Sequence, residues 1–215
     1  MLTSPRPQTM RRQRGFTLGE LMIGVALALF LLSGLILTFT STTKSSVDTL
    51  RAAKGSQDLR GAMMMMARDL RRAGYWANAA SMTGSPATVN PFATLNTAAA
   101  GCVLFAYDQN GNGTLDVGES FGYRLNGGAI EARTAGAADD CAAATNSWEA
   151  LTDAKVNAIN TLTFTLAELA APITGGGNMI VRQVTIDAAA QLARDAAVKQ
   201  TFTETVRIRN DVYRP

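Results

Sequence analysis

Arg14-Gly15-Phe16-Thr17-Leu18-Gly19-Glu20, set between a basic leader and a long apolar run, decides the fold of this chain. Four arginines (Arg6, Arg11, Arg12, Arg14) and no acidic residue precede Gly15. From Leu21 to Phe39 the only polar side chains are Ser33 and Thr38. A run of about 19 apolar residues is long enough to cross a bilayer as a helix, with the arginines held on the cytoplasmic side. A secretory signal carries its small-residue cleavage site after the apolar segment. Here the glycine comes first, so a cut at Gly15 leaves the apolar helix on the mature protein.

That order resembles the type III leader of type IV pilins and of type II secretion pseudopilins. The resemblance implies that prepilin peptidase cuts after Gly15 and methylates the new N-terminal Phe16. It also implies a role for Glu20, the fifth residue of the mature chain, as the partner of a neighbouring subunit's N-terminal amine. The residues allow a local role too: Thr17-Leu18-Gly19-Glu20 fits a capping box, with Thr17 as N-cap and Glu20 at the third helical position. The two roles are compatible, because a cap on the free protomer can give way to an ion pair between subunits. Gly19 departs from the larger apolar residue usual in the family. Leu37 stands where major pilins commonly have proline, which argues against a major pilin.

No proline occurs from Thr17 to about Ala77, and an apolar stripe continues past the membrane segment. Val47, Leu50, Ala53, Leu59, Met63, Met66, Leu70 and Ala73 recur mostly at three- and four-residue steps, the period of one helix face. Arg60, Arg68, Arg71 and Arg72 fall largely off it. One helix of about 60 residues is therefore expected, roughly 90 Å long, with kinks allowed at Gly55 and Gly61. The Met63–Met66 run reads as adaptable core packing.

Beyond Tyr75-Trp76 the pattern becomes turns and short strands. Residues 79–100 read as irregular surface. Strands are expected at 102–107, 120–125, 129–133, 158–166, 179–188 and 201–210. A long helix followed by mostly antiparallel strands is an α+β order. The boundaries expected are a leader over 1–15, a membrane and pilus-core helix over 16–39, an amphipathic half over 40–77, and a β-rich head over 78–215. Gln57-Asp58-Leu59-Arg60, Arg68-Asp69-Leu70-Arg71-Arg72-Ala73-Gly74-Tyr75 and Val206-Arg207-Ile208-Arg209-Asn210 resemble the PilW group of minor pilins.

The precursor carries 20 Lys and Arg against 17 Asp and Glu. Losing the four leader arginines leaves the mature side chains one unit acidic, so the basic balance belongs to the leader and not to a nucleic-acid surface. Cys102 and Cys141 have no CxxC spacing, and the chain contains no histidine. In an exported protein they are expected to form one disulfide, the alternative being two separate buried thiols.

Asp108-Gln109-Asn110-Gly111-Asn112-Gly113-Thr114-Leu115-Asp116-Val117-Gly118-Glu119 meets every position of the EF-hand loop pattern. Asp108, Asn110, Asn112, Thr114 (through its carbonyl), Asp116 and Glu119 occupy the ligand positions for Ca2+, and Gly113 the sharp turn. The flanks look like strands, so the expectation is a calcium loop inside a β-hairpin; an Asn-Gly turn holding no metal is the alternative. Gly118-Glu119-Ser120-Phe121-Gly122 matches the nucleophile-elbow pattern. It lies between two strands and lacks a histidine base, so it reads as coincidence.

These residues point to a non-catalytic, membrane-inserted prepilin. The resemblance implies a minor pilin that primes assembly of a type IV pilus and forms part of its tip. Its expected partners are other minor pilins, the major pilin, prepilin peptidase, the inner-membrane assembly platform and a PilY-type tip adhesin. Before assembly it would sit in the inner membrane with a periplasmic head, and afterwards in the pilus. A minor pseudopilin of type II secretion shares the leader, glutamate and helix. A DNA-uptake competence pilin would need a basic, aromatic-lined patch that the acidic head does not promise.

Overall fold

The computed structural model describes residues 15–80, 89–174 and 176–214; the leader expected over 1–15 lies outside them except for Gly15. The chain divides into two compact units, one reaching Thr49 and the other Leu50–Pro215. A single helix, α1 (Leu18–Leu70), contributes to both.

In the first unit α1 is exposed on every side. Phe30 is 76% exposed and Leu37 70%, and none of the large apolar side chains from Leu21 to Phe39 is buried. By length and composition this stretch can cross a membrane. Apolar side chains all round a helix leave no face suited to water, so the surface must lie in lipid or against other helices. Ser33, Thr38, Thr40, Thr42, Thr43, Ser46 and Thr49 return their hydroxyls to carbonyls three or four residues earlier, which satisfies them within the helix.

In the second unit α1 becomes one-sided. Leu59, Ala62, Met63, Met66, Ala67 and Leu70 are buried, whereas Arg60, Arg68, Arg71 and Arg72 are exposed. The expected stripe therefore holds from Leu59 onward. Earlier it fails: Leu50 is 70% exposed, because the sheets do not reach that face. The methionine run divides, with Met63 and Met66 buried and Met64 and Met65 exposed. α1 continues through Gly55 and Gly61 as one element. Gly55 is needed for a close approach: a Cβ there would lie 3.3 Å from Asn157, whose side chain donates to the Gly55 carbonyl.

Two antiparallel sheets complete this unit, in the α+β order expected. The first runs in the order β1 (Leu95–Asn96), β2 (Cys102–Ala106), β3 (Ser120–Asn126), β4 (Ala129–Ala135), β5 (Ser147–Ala150). The second runs β6 (Asn157–Pro172), β7 (Asn178–Leu192), β8 (Asp195–Arg207), with β9 (Val212–Arg214) also paired to β7. Leu59, Met63, Met66 and Leu70 of α1 share one core with Val103, Phe105, Tyr123 and Ile130 of the first sheet. Ile159, Leu162, Phe164, Val184, Ile186 and Val206 of the second complete it. Phe105, Tyr107, Phe121 and Tyr123 form an aromatic bank, with the Tyr107 and Phe121 rings 4.1 Å apart.

Three short strands lie outside those expected: β1 in the segment read as irregular surface, and β5 and β9 in segments to which no strand was assigned. Each has two to four residues and gains its strand character from a longer neighbour, not from its own composition. Cys102 and Cys141 form a disulfide. It ties the start of β2 to the loop between β4 and β5.

Candidate functional site

Three places carry the residues singled out from the sequence. The first is the start of α1. Gly15 and Phe16 are exposed and precede the helix. The backbone N–H of Thr17 donates to Glu20 Oε2 at 2.9 Å, and its hydroxyl donates to the same oxygen at 3.0 Å. The Glu20 N–H donates in return to Thr17 Oγ1 at 3.3 Å. This is the capping box expected from Thr17-Leu18-Gly19-Glu20. The Glu20 carboxylate is thus oriented on the protomer and open to solvent, at the head of an uncovered apolar helix.

The second place is the end of α1, where sequence segments far apart in the chain meet. The helix stops at Leu70, short of the expected end near Ala77, and Arg71–Gly74 form turns. A helix end leaves carbonyls without partners. Here the carbonyls of Ala67, Asp69 and Leu70 accept from the N–H groups of Arg71, Arg72 and Ala73, and the segment after β8 takes the next three: the Asn210 side-chain amide donates to the carbonyls of Arg72 (3.2 Å) and Ala73 (3.1 Å), and the Arg209 N–H donates to that of Arg71 (3.1 Å). Gly74 adopts φ +75°, and a Cβ on it would fall 2.7 Å from Arg182 Nη2. Arg182, itself buried, donates to the carbonyls of Ala93 and Asn210. Burial pushes its guanidinium below the ordinary value. The Ala73-Gly74-Tyr75 and Arg209-Asn210 segments are therefore two halves of one cap.

Nearby, the buried carboxylate of Asp69 accepts a 2.6 Å hydrogen bond from the Tyr123 hydroxyl. Burial, reinforced by that bond to Asp69, pushes the Tyr123 phenol up. Arg72 lies over the Tyr107 ring at 4.2 Å. The residue spacing gave no signal for either contact.

The third place is the Asp108–Glu119 loop, which joins the paired strands β2 and β3 as expected. Asp108 is buried, its carboxylate accepting from the N–H groups of Gly111 (2.7 Å), Gly113 (3.0 Å) and Ala77 (3.0 Å). Burial alone would raise its carboxyl pKa; hydrogen bonds from the backbone of Ala77, Gly111, Gly113 and Asn112 outweigh that and hold it below the ordinary value. Glu119 accepts from Gln109, Asn110 and Asp116 N–H groups. Asp116 accepts from the side-chain amides of Asn110 and Asn112, while the Thr114 hydroxyl bonds Asn112. The six positions are thus brought into one loop, with residue types suited to a hard cation. Their oxygens face the loop's own N–H groups, and among the described residues no three acidic side chains converge as a metal-holding group.

This loop is also fastened to the segment after α1. The Trp76 indole donates to the Gly113 carbonyl at 2.8 Å, and the Asp108 N–H to the Tyr75 carbonyl at 2.9 Å. Trp76, Phe92 and Ala106 form a second small core beneath it. Ser120, from the coincidental elbow pattern, lies at the start of β3 and not at a strand-to-helix turn.

Comparison with protein families gives two matches. Residues 10–36 match the prokaryotic N-terminal methylation motif, and residues 48–208 match prepilin peptidase-dependent protein B. No curated protein matches the chain, and no solved structure does. The first match covers the leader junction and the start of α1; the second covers the head-facing end of α1 and strands β1 to β8, with Gly74 inside it. With a family match over most of its length, a methylation motif at Gly15-Phe16 and a long helix on an antiparallel head, this chain is a type IV pilin-like protein that belongs to the prepilin peptidase-dependent protein B family.

Proposed function

We propose that this protein is a minor pilin of a type IV pilus, of the PilW kind, that helps prime assembly and takes a place in the tip complex. The observation that carries the reading is the start of α1: a glutamate five residues into the mature chain, capped only by Thr17, heading a helix whose apolar surface is uncovered. In this reading prepilin peptidase cuts after Gly15 and methylates Phe16. The apolar half-helix anchors the subunit in the inner membrane with its head in the periplasm, then moves from lipid into a helical core among other subunits. Glu20 sets the axial register by neutralising a neighbour's Phe16 amine, which exchanges a local cap for an intersubunit ion pair. Other minor pilins, the major pilin, the assembly platform and a PilY-type tip adhesin are the partners.

The test is Glu20→Ala, scored for pilus number and for incorporation of the minor pilins. The expected result is normal processing with loss of incorporation; unchanged piliation and incorporation would remove the register role. Scoring twitching beside exoprotein secretion in the same strain separates a pilus subunit from a type II pseudopilin.

The Asp108–Glu119 loop binds one calcium ion in this reading, supported by its complete match to the EF-hand spacing. The ion would replace the asparagine amides around Asp116 and steady the Trp76 junction. Calcium should raise the melting temperature of the purified chain over that in EGTA. Equal values would show that the loop is held by its internal hydrogen bonds alone.

A further inference from the structure

The second sheet has two free edges, and they are built differently. β8 carries Asp195, Lys199, Glu204 and Arg207 along its length. Charged residues on an edge strand deter pairing with another chain. β6 lies at the other end of the order β6-β7-β8. After the irregularity between Ile159 and Thr161 it runs unbroken to Pro172, about 40 Å at the usual rise per residue. Along that length its one charged residue is Glu168, and the Glu168 carboxylate is held by Arg214 at 3.0 Å. Beyond the Ile159 N–H, which reaches the Gly128 carbonyl, no backbone hydrogen bond satisfies the outer side of β6 as far as Pro172 among the described residues.

The far half of this edge is also apolar on its outward face. The register places Leu169 beside Val181 and Ala171 beside Met179, which in turn faces Tyr213. Leu169 is 69% exposed, and Ala167 and Ala171 are exposed beside it. A row of unpaired backbone donors and acceptors accepts one kind of occupant, an extended strand. The side chains of that strand alternate in direction. On this edge every second side chain of the guest would lie against Ala167, Leu169 and Ala171 and would need to be apolar.

We infer that the outer edge of β6, over Thr165–Pro172, is a docking strand for an extended segment of another pilin-type subunit, bound by β-strand addition with apolar side chains at alternate positions. The guest ladder satisfies the exposed N–H and C=O groups, and Leu169 supplies the apolar contact that fixes which face of the guest turns outward. A second copy of this chain suits the edge less well, since antiparallel self-pairing centred on this stretch brings the two Glu168 side chains opposite or diagonal to each other. The inference rests on the reading that the protein assembles with other subunits.

The test places a photo-crosslinking p-benzoylphenylalanine at Leu169, at Thr205 on the charged β8 edge, or at Leu27 in α1, each in the full-length chain co-expressed with the pilin-type subunits of its host. The expected result is an adduct from position 169 that maps to an extended segment of a different subunit, with none from position 205. Leu169→Lys should abolish incorporation while leaving the melting temperature unchanged, and the crosslinking arm remains decisive should that variant misfold. Adducts from position 27 without any from 169 would overturn the docking strand and leave the assembly reading intact. Adducts from 169 made only of two copies of this chain, or mapping to a partner's helix, would also overturn it. No adduct from 27 or 169 would overturn both readings.

Discussion

Gly74 shows how one residue can be held by two separate constraints. Its φ of +75° is open to glycine and strained for other residues, and the space a Cβ would take is filled by the Arg182 guanidinium. Gly74→Ala should therefore destabilise the head by about 1–3 kcal/mol, the usual cost of a strained backbone position. Thermal unfolding checks this, and a loss no larger than that of Gly111→Ala, where φ is also positive but the space is open, would show that the Arg182 contact contributes nothing. Asp108 makes a different kind of prediction. Its carboxyl is held below the ordinary value in the folded state, so its contribution is present above the unfolded carboxyl pKa of about 3.9 and is lost as pH falls through the lower folded value. Acid titration of stability should show this loss at low pH, and Asp108→Asn should flatten that part of the profile. Neither residue's role was legible beforehand: the sequence marks Gly74 as a turn and Asp108 as a ligand position, but Arg182 and Ala77 reach them from elsewhere in the chain.

Elements differ in how far local pattern decides them. α1 was readable because proline is absent over its length, an unbroken apolar run fills its first half and a 3.6-residue stripe marks its last turns. Its end was not, because the turn that follows Leu70 is held by Asn210 from the far end of the chain. β2, β3, β4, β6, β7 and β8 carry their own β-branched and aromatic residues and lie close to where they were expected. β6 and β7 run longer than their composition suggests because each continues as the other's partner to the Pro172–Asn178 turn. The Cys102–Cys141 link spans 39 residues and holds the β4–β5 loop to β2. Replacing both cysteines by alanine should cost about 4 kcal/mol in the chain-entropy model, which corresponds to a drop in melting temperature of about 10 °C for a domain of this size. A drop of one or two degrees would mean that the loop stays docked through Arg133, which donates to the carbonyls of Ser120, Phe121 and Ala138.

At the scale of the whole molecule, the amphipathic half of α1, which its sequence pattern suits to covering a sheet, is part of the head's core. Leu59, Met63, Met66 and Leu70 are core residues of the unit that begins at Leu50. A fragment spanning 50–215 should therefore fold without detergent and melt in one cooperative transition, as followed by circular dichroism and gel filtration. A fragment starting at residue 78 should not, since it discards one wall of the core. The apolar span, the Gly15-Phe16 junction, the Thr17–Glu20 cap, the hairpin loop and the cysteine pair were all determined by the sequence itself, because each depends on residues close together in the chain or on composition alone. The two-sheet head, the cap joining Gly74 to Asn210 and the uncharged outer edge of β6 were decided only by the tertiary structure. Each arises where segments far apart in sequence satisfy one another's backbone groups or leave them unsatisfied, and no local pattern records which distant partner arrives.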